Sequence, residues 1–206
     1  MLELHDPIAA VPKAAPVRSG GAIGNGRLTA ALAAILLVML AAEGVTIPFI
    51  GPLRVEHILI GLLLIGPVAA KLASTGYRFT RYYLGASTYV RKGAPPMALR
   101  LLAPGVVFTT VALFGTGVAL LVAGEPSDQL AFLHKVSFIA WFALMTIHVL
   151  GHVLEVPRQA VADWRRPGAR ELRLPGAGLR FAAIAAALAA GVGIAALAFS
   201  TTGSWG

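Results

Sequence analysis

The sequence predicts an all-α integral membrane protein with five transmembrane helices, the first four forming a bundle. Three features carry that prediction. Hydrophobic residues make up 57% of the 206 and charged residues only 13%, whereas an average soluble domain carries roughly 25% charged residues. Five separate stretches are apolar over a length that can cross a hydrocarbon core of about 30 Å, which takes roughly 20 helical residues. The basic residues gather between alternate stretches. Helix follows from the lipid setting, because every backbone N–H and C=O there needs a partner within the protein.

Residues 1–27 form a tail with Pro7, Pro12, Pro16 and the run Ser19-Gly20-Gly21, a composition expected to be flexible. The first span runs from Leu28 to about Ile47 and stops at Pro48. It begins too late to suggest a cleaved signal sequence. The second runs from about Val55 to Ala73, the third from Leu101 to Ala123 without a charge, and the fourth from Leu130 to about Val156. Residues 28–156 thus form the predicted four-helix bundle, and 157–178 a basic loop. Residues 179–206 form a fifth helix and a short tail. That fifth span is nearly all Ala, Gly, Leu and Ile apart from Arg180. Its Ala187, Gly191 and Ala195 recur every four residues, a small-residue face suited to close packing on the bundle, on a second copy or on a partner.

Fifteen of the 17 basic residues fall in the tail, in the connection between spans two and three, or in that between spans four and five. Only Arg54 and Lys135 lie on the other side. By the positive-inside rule the N-terminus is expected in the cytoplasm and the C-terminus outside, in a multi-pass inner or plasma membrane protein. Topology therefore accounts for the net charge of +8 without nucleic acid as a partner. The stretch Gly76–Pro96 is aromatic and basic, with Tyr77, Phe79, Tyr82, Tyr83 and Tyr89. The headgroup layer is its expected setting, and a docking surface for a soluble partner is the alternative.

There is no cysteine, which excludes disulfides, thiolate zinc, cysteine-held iron–sulfur clusters and covalently attached haem. No phosphate-binding glycine loop, H-E-x-x-H or G-x-S-x-G occurs, so nucleotide-domain and hydrolase readings lack their motifs.

Ionisable residues within spans are costly and functional by default. Here they are His57, His134, His148, His152, Lys71 and Glu43. With the N-terminus inside, spans two and four run in the same direction. His57 and His134 each lie near the start of their span and so share a depth. Two neutral imidazoles at one depth can ligate a flat metal macrocycle from its two faces. His134 and His148 are 14 residues apart, roughly 21 Å along a helix and about 40° short of whole turns, so they share a side. His152 follows four residues later. Glu43 and Glu56 could accept from histidine N–H groups. Gly44, Gly61, Gly66, Gly115 and Gly117 could admit a ring edge against backbone. Arg54 and Lys135, each close in sequence to one of the outer histidines, could pair with acidic substituents of a cofactor. Trp141, between His134 and His148, suits packing or lipid contact better than electron relay.

These residues make the chain similar to the four-helix b-type cytochromes of bacterial membranes. Examples are the cytochrome-b subunits of formate dehydrogenases and nickel–iron hydrogenases. The resemblance covers residues 28–156 and rests on His57 in the second span with His134 and His148 in the fourth. It implies haem b held by His57 and His134, electron exchange with a quinone or a redox partner protein, and His148 as a ligand of a second haem. The pattern departs where the first span begins Arg27-Leu28-Thr29-Ala30 with no histidine. In the bc-type variant the partner of His148 would fall at Lys71. Three readings of that end stay open: no second haem, a haem held by His148 or His152 with Lys71, or a quinone or lipid headgroup on those three residues. Lys71 alternatively snorkels to the headgroups. The competing reading of the whole is a non-redox membrane protein, a small transporter or an anchor or assembly subunit, whose histidines serve protons or packing.

Overall fold

The computed structural model describes residues 20–94, 96–124, 127–152, 156–164 and 174–202. Among them there is helix and no strand. Five helices are long and apolar enough to cross a membrane: α1 (Gly21–Thr46), α2 (Arg54–Tyr83), α4 (Met97–Ala123), α5 (Asp128–Leu150) and α7 (Ala177–Thr202). Two short helices, α3 (Ser87–Lys92) and α6 (Val156–Ala160), lie in the connections, and a 3-10 turn (Ile47–Phe49) carries Pro48.

The bundle is built from antiparallel hairpins. Helices α1 and α2 pair across the link at 47–53, and α4 and α5 across that at 124–127. Helix α7 packs along α2, and α6 against α1. The α4–α5 hairpin meets the rest chiefly through α2 and α4, and α2 and α5 are not a closely packed pair. Their starts nevertheless meet at His57 and His134, and Lys71 and His148 interact towards their far ends. The two helices therefore run in the same direction, as the sequence predicts.

Several boundaries differ from the sequence expectation, each for a visible reason. Residues 21–27 are not tail but the first turns of α1. Arg27 Nη1 bonds Asp163 Oδ1 at 2.8 Å, and Asn25 Nδ2 bonds the Ser74 carbonyl and hydroxyl at 3.1 Å each. Residues 1–19 lie outside the described residues. Helix α2 continues ten residues beyond Ala73, because nothing in Ser74–Tyr83 breaks a helix. It closes only at Gly85 (φ 76°), where the Leu84, Gly85 and Ala86 N–H groups fold back onto the last carbonyls. Helix α5 starts on Ser127, whose hydroxyl accepts from the Leu130 N–H at 3.4 Å. It ends at Leu150, so His152 sits in the turn that follows rather than on the helix.

The expected basic loop is organised around one acid. Asp163 sits between the guanidinium groups of Arg27 from α1 and Arg180 from α7, and Arg180 Nη1 also reaches the Pro175 carbonyl at 3.0 Å. Arg180 and Asp163 are both buried. The hydrogen bond from Arg180, more than any other influence, holds the Asp163 carboxyl below the usual carboxylate range. Residues 165–173 of that loop lie outside the described residues.

The small-residue face of α7 is used within the chain. A Cβ on Gly191 would overlap the Leu63 carbonyl, and one on Gly66 would overlap that of Ala187. Of the alternatives for that face, packing on the bundle is the one realised, so Gly191 and Ala187 are not available to a second copy.

Candidate functional site

At the end of the bundle that is poor in basic residues, the first turn of α2 carries His57 and the second turn of α5 carries His134. Their ring centres are 6.4 Å apart with planes at 86°. Each ring is held by a threonine from the other helix of its own hairpin. The Thr46 hydroxyl donates to the Glu43 carbonyl at 2.6 Å and lies 2.8 Å from His57 Nδ1. Its proton is thus committed, and its oxygen accepts the His57 Nδ1–H. Glu43 Oε1 lies 3.0 Å from the same nitrogen. On the other side the Thr116 hydroxyl lies 2.8 Å from the Ala112 carbonyl and 3.0 Å from that of Leu113, and 3.0 Å from His134 Nδ1. The same logic makes it the acceptor of the His134 Nδ1–H. With each hydroxyl proton directed to a backbone carbonyl, the contacts favour the Nδ1–H tautomer on both imidazoles, which leaves Nε2 as the nitrogen with a free lone pair on each.

The spacing of the two ring centres is compatible with two axial ligands of one haem iron. With metal–imidazole bonds of about 2 Å and the ring centre about 1 Å beyond its nitrogen, two axial rings on one metal have centres about 6 Å apart. The observed spacing agrees. Among the described residues no group of three or more His, Asp or Glu is placed to hold a metal.

The five glycines separate into classes. A Cβ on Gly117 would lie 3.2 Å from His134 Cε1, and one on Gly61 3.5 Å from Glu43 Oε1, so these two make room for the site. Gly66 serves α7 packing, and Gly44 and Gly115 meet nothing within 4 Å. Glu43 rather than Glu56 reaches a histidine; Glu56 is exposed. Arg54 and Lys135 are exposed at the same end, three residues before His57 and one after His134. Trp141 is buried and donates from Nε1 to Thr110 Oγ1 at 3.0 Å, a packing role between α4 and α5.

The other end is built differently. His148 and His152 stack edge-on at 4.9 Å, and His148 Nδ1 is buried without a hydrogen-bond partner. Lys71 Nζ does not snorkel: it turns inward and donates to the Thr29 carbonyl of α1 at 2.8 Å. Thr29 and Asn25 meet Ser74 beside it, so the seam between α1 and α2 is polar at this depth and holds the ammonium.

Sequence reasoning missed Thr46, Thr116 and Asp163. Thr116 was within reach of a simple rule. In an antiparallel hairpin, residues equally far from the turn face one another, and Thr116 and His134 each lie nine positions from 125. Asp163 carried no signal that set it apart from Glu155 and Glu171 in the same arginine-rich connection.

Compared with known proteins, the chain matches no family model, no curated protein and no solved structure.

Proposed function

We propose that this protein is a membrane b-type cytochrome that carries single electrons on one haem, with His57 and His134 as axial ligands. The observation that carries the reading is the pair of imidazoles at 6.4 Å, each with its Nδ1 at a threonine hydroxyl. Bound there, haem supplies reversible one-electron chemistry.

The chain's own residues would set the conditions for it. Thr46 and Thr116 orient the rings and favour a deprotonated Nε2 on each. Glu43 Oε1, 3.0 Å from the same nitrogen as the Thr46 hydroxyl, helps hold the His57 ring in place. The exposed Arg54 and Lys135 lie where propionates could pair with them. A quinone or a redox partner protein is the exchange partner this reading implies, on the face opposite the basic end.

A second haem is not part of the proposal. His148 lacks a matching donor, because Lys71 is engaged by Thr29. The test is the absorption spectrum and haem count of the purified chain. The proposal expects about one haem b per chain, lost in His57→Ala and in His134→Ala. A purified, folded chain without haem refutes it.

A further inference from the structure

Helix α2 has 30 residues, about 45 Å at 1.5 Å per residue, against a hydrocarbon core of about 30 Å. Its last turns, from about Gly76 to Tyr83, therefore stand in or beyond the headgroup layer at the basic end. A helix projecting into water hides its large apolar side chains, and this one does not. Phe79 and Tyr83 are exposed and pack on each other at 4.5 Å. Leu84, 75% exposed, follows, and Met97 and Leu101 are exposed at the start of α4. Arg100 of α4 donates to the Tyr83 hydroxyl at 2.6 Å, which joins the two helices into one surface. Arg81 and Arg91 are exposed on α2 and α3.

The charge on this surface is of one sign. From residue 57 to residue 124 the sequence contains no Asp or Glu. Asp163, the one described acid at this end, is taken by Arg27 and Arg180. Among the described residues Arg81, Arg91 and Arg100 therefore have no carboxylate partner. Cations beside exposed aromatic and aliphatic side chains, at headgroup depth, match a molecule that is anionic at one end and apolar at the other.

We infer that the face formed by the end of α2 and the start of α4 is a binding site for anionic phospholipid. The lipid phosphate is held by Arg100 beside the Tyr83 hydroxyl, and its glycerol and upper acyl chains lie on Phe79, Tyr83, Leu84 and Leu101; Arg81, two residues from both rings, lies on the opposite side of α2, towards Tyr89. This is more specific than a basic loop that sets topology, because it places the lipid on one of the two basic connections and not on the other. It stands independently of the redox reading.

The test uses the full chain, delipidated in a neutral detergent and titrated with phosphatidylglycerol or phosphatidylcholine, with bound lipid counted by native mass spectrometry. The wild type retains phosphatidylglycerol at least about tenfold better than phosphatidylcholine. Arg100→Gln lowers that preference about fivefold, whereas Arg100→Lys, which keeps the charge, Arg81→Gln on the opposite side of α2 and Arg158→Gln on α6 leave it near the wild-type value. Thermal melting of each variant in phosphatidylcholine reports folding separately. Equal retention of the two lipids by the wild type overturns the inference. So does an equal loss in Arg158→Gln, which makes the effect a diffuse property of the basic end. Displacement of bound phosphatidylglycerol by soluble polyglutamate at matched charge also overturns it, in favour of an acidic protein partner.

Discussion

Replacing Thr116 by valine removes one oxygen and keeps the shape of the side chain. In the wild type that oxygen gives its proton to the α4 backbone and accepts the His134 Nδ1–H at 3.0 Å. The carbonyls it leaves keep their helical partners, so α4 itself loses little. The cost falls on His134: its Nδ1–H loses the hydroxyl and keeps only the Leu113 carbonyl, a loss of about 1–1.5 kcal/mol. The ring also loses a contact that helps set its tautomer and its rotation. Loss of such an outer contact typically lowers metal affinity 10–100-fold, the lower end of which, at 1.4 kcal/mol per decade, agrees with the hydrogen-bond figure. Thr116→Val is therefore expected to bind haem at least about tenfold more weakly in a titration of the haem-depleted protein. Thr116→Ser, which restores the oxygen, should recover most of the affinity. If the valine variant binds haem as tightly as the wild type, or the serine variant binds as poorly as the valine variant, the threonine does not hold the ring and the tautomer argument fails.

Other consequences follow from the same contacts. Asp163→Asn leaves two guanidinium groups facing a neutral amide, and breaking a buried pair of this kind costs about 3–5 kcal/mol, measurable as a lower melting temperature. Because the folded Asp163 carboxyl titrates below its unfolded value, its contribution is complete above about pH 4 and is lost as the pH falls through the folded value. The acid-induced part of wild-type destabilisation should shrink in Asp163→Asn. Gly191→Ala forces a methyl into the Leu63 carbonyl and should separate α7 from α2 at a cost of at least about 1–3 kcal/mol, seen as increased protease sensitivity of the segment before α7. Lys71→Met should leave the haem spectrum and haem count unchanged while lowering thermal stability, since the ammonium holds α1 rather than the cofactor.

The parts of this protein legible in its sequence are those fixed by the lipid and by direction. The lack of charge in Leu101–Ala123 dictates a span, and the alternation of basic connections dictates that α2 and α5 run in the same direction. The depth match of His57 and His134 follows from that direction alone, and their rings do meet. Contacts set by packing across hairpins were less legible. Periodicity says which side a residue shares with its helical neighbours and is silent on the residue opposite, so Thr46 and Thr116 passed unnoticed among other threonines. The sequence leaves Lys71 open between ligation and snorkelling, because it does not show the polar seam of Asn25, Thr29 and Ser74 that gives its ammonium a near acceptor. The end of α2 was misjudged because hydropathy ends at Ala73 while helix propensity does not. The role of Gly191 was legible in kind, as a close-packing residue, but its partner helix was not.

Haem ligation itself is tested most directly by electron paramagnetic resonance of the oxidised, purified protein. Two axial imidazoles with planes near perpendicular (86° here) should give a six-coordinate, low-spin ferric signal of the strongly anisotropic kind. His57→Gly and His134→Gly should each convert it to a high-spin signal that added imidazole returns to low spin. A wild-type protein that is high-spin, or a low-spin signal that survives both substitutions, contradicts the assignment of these two histidines.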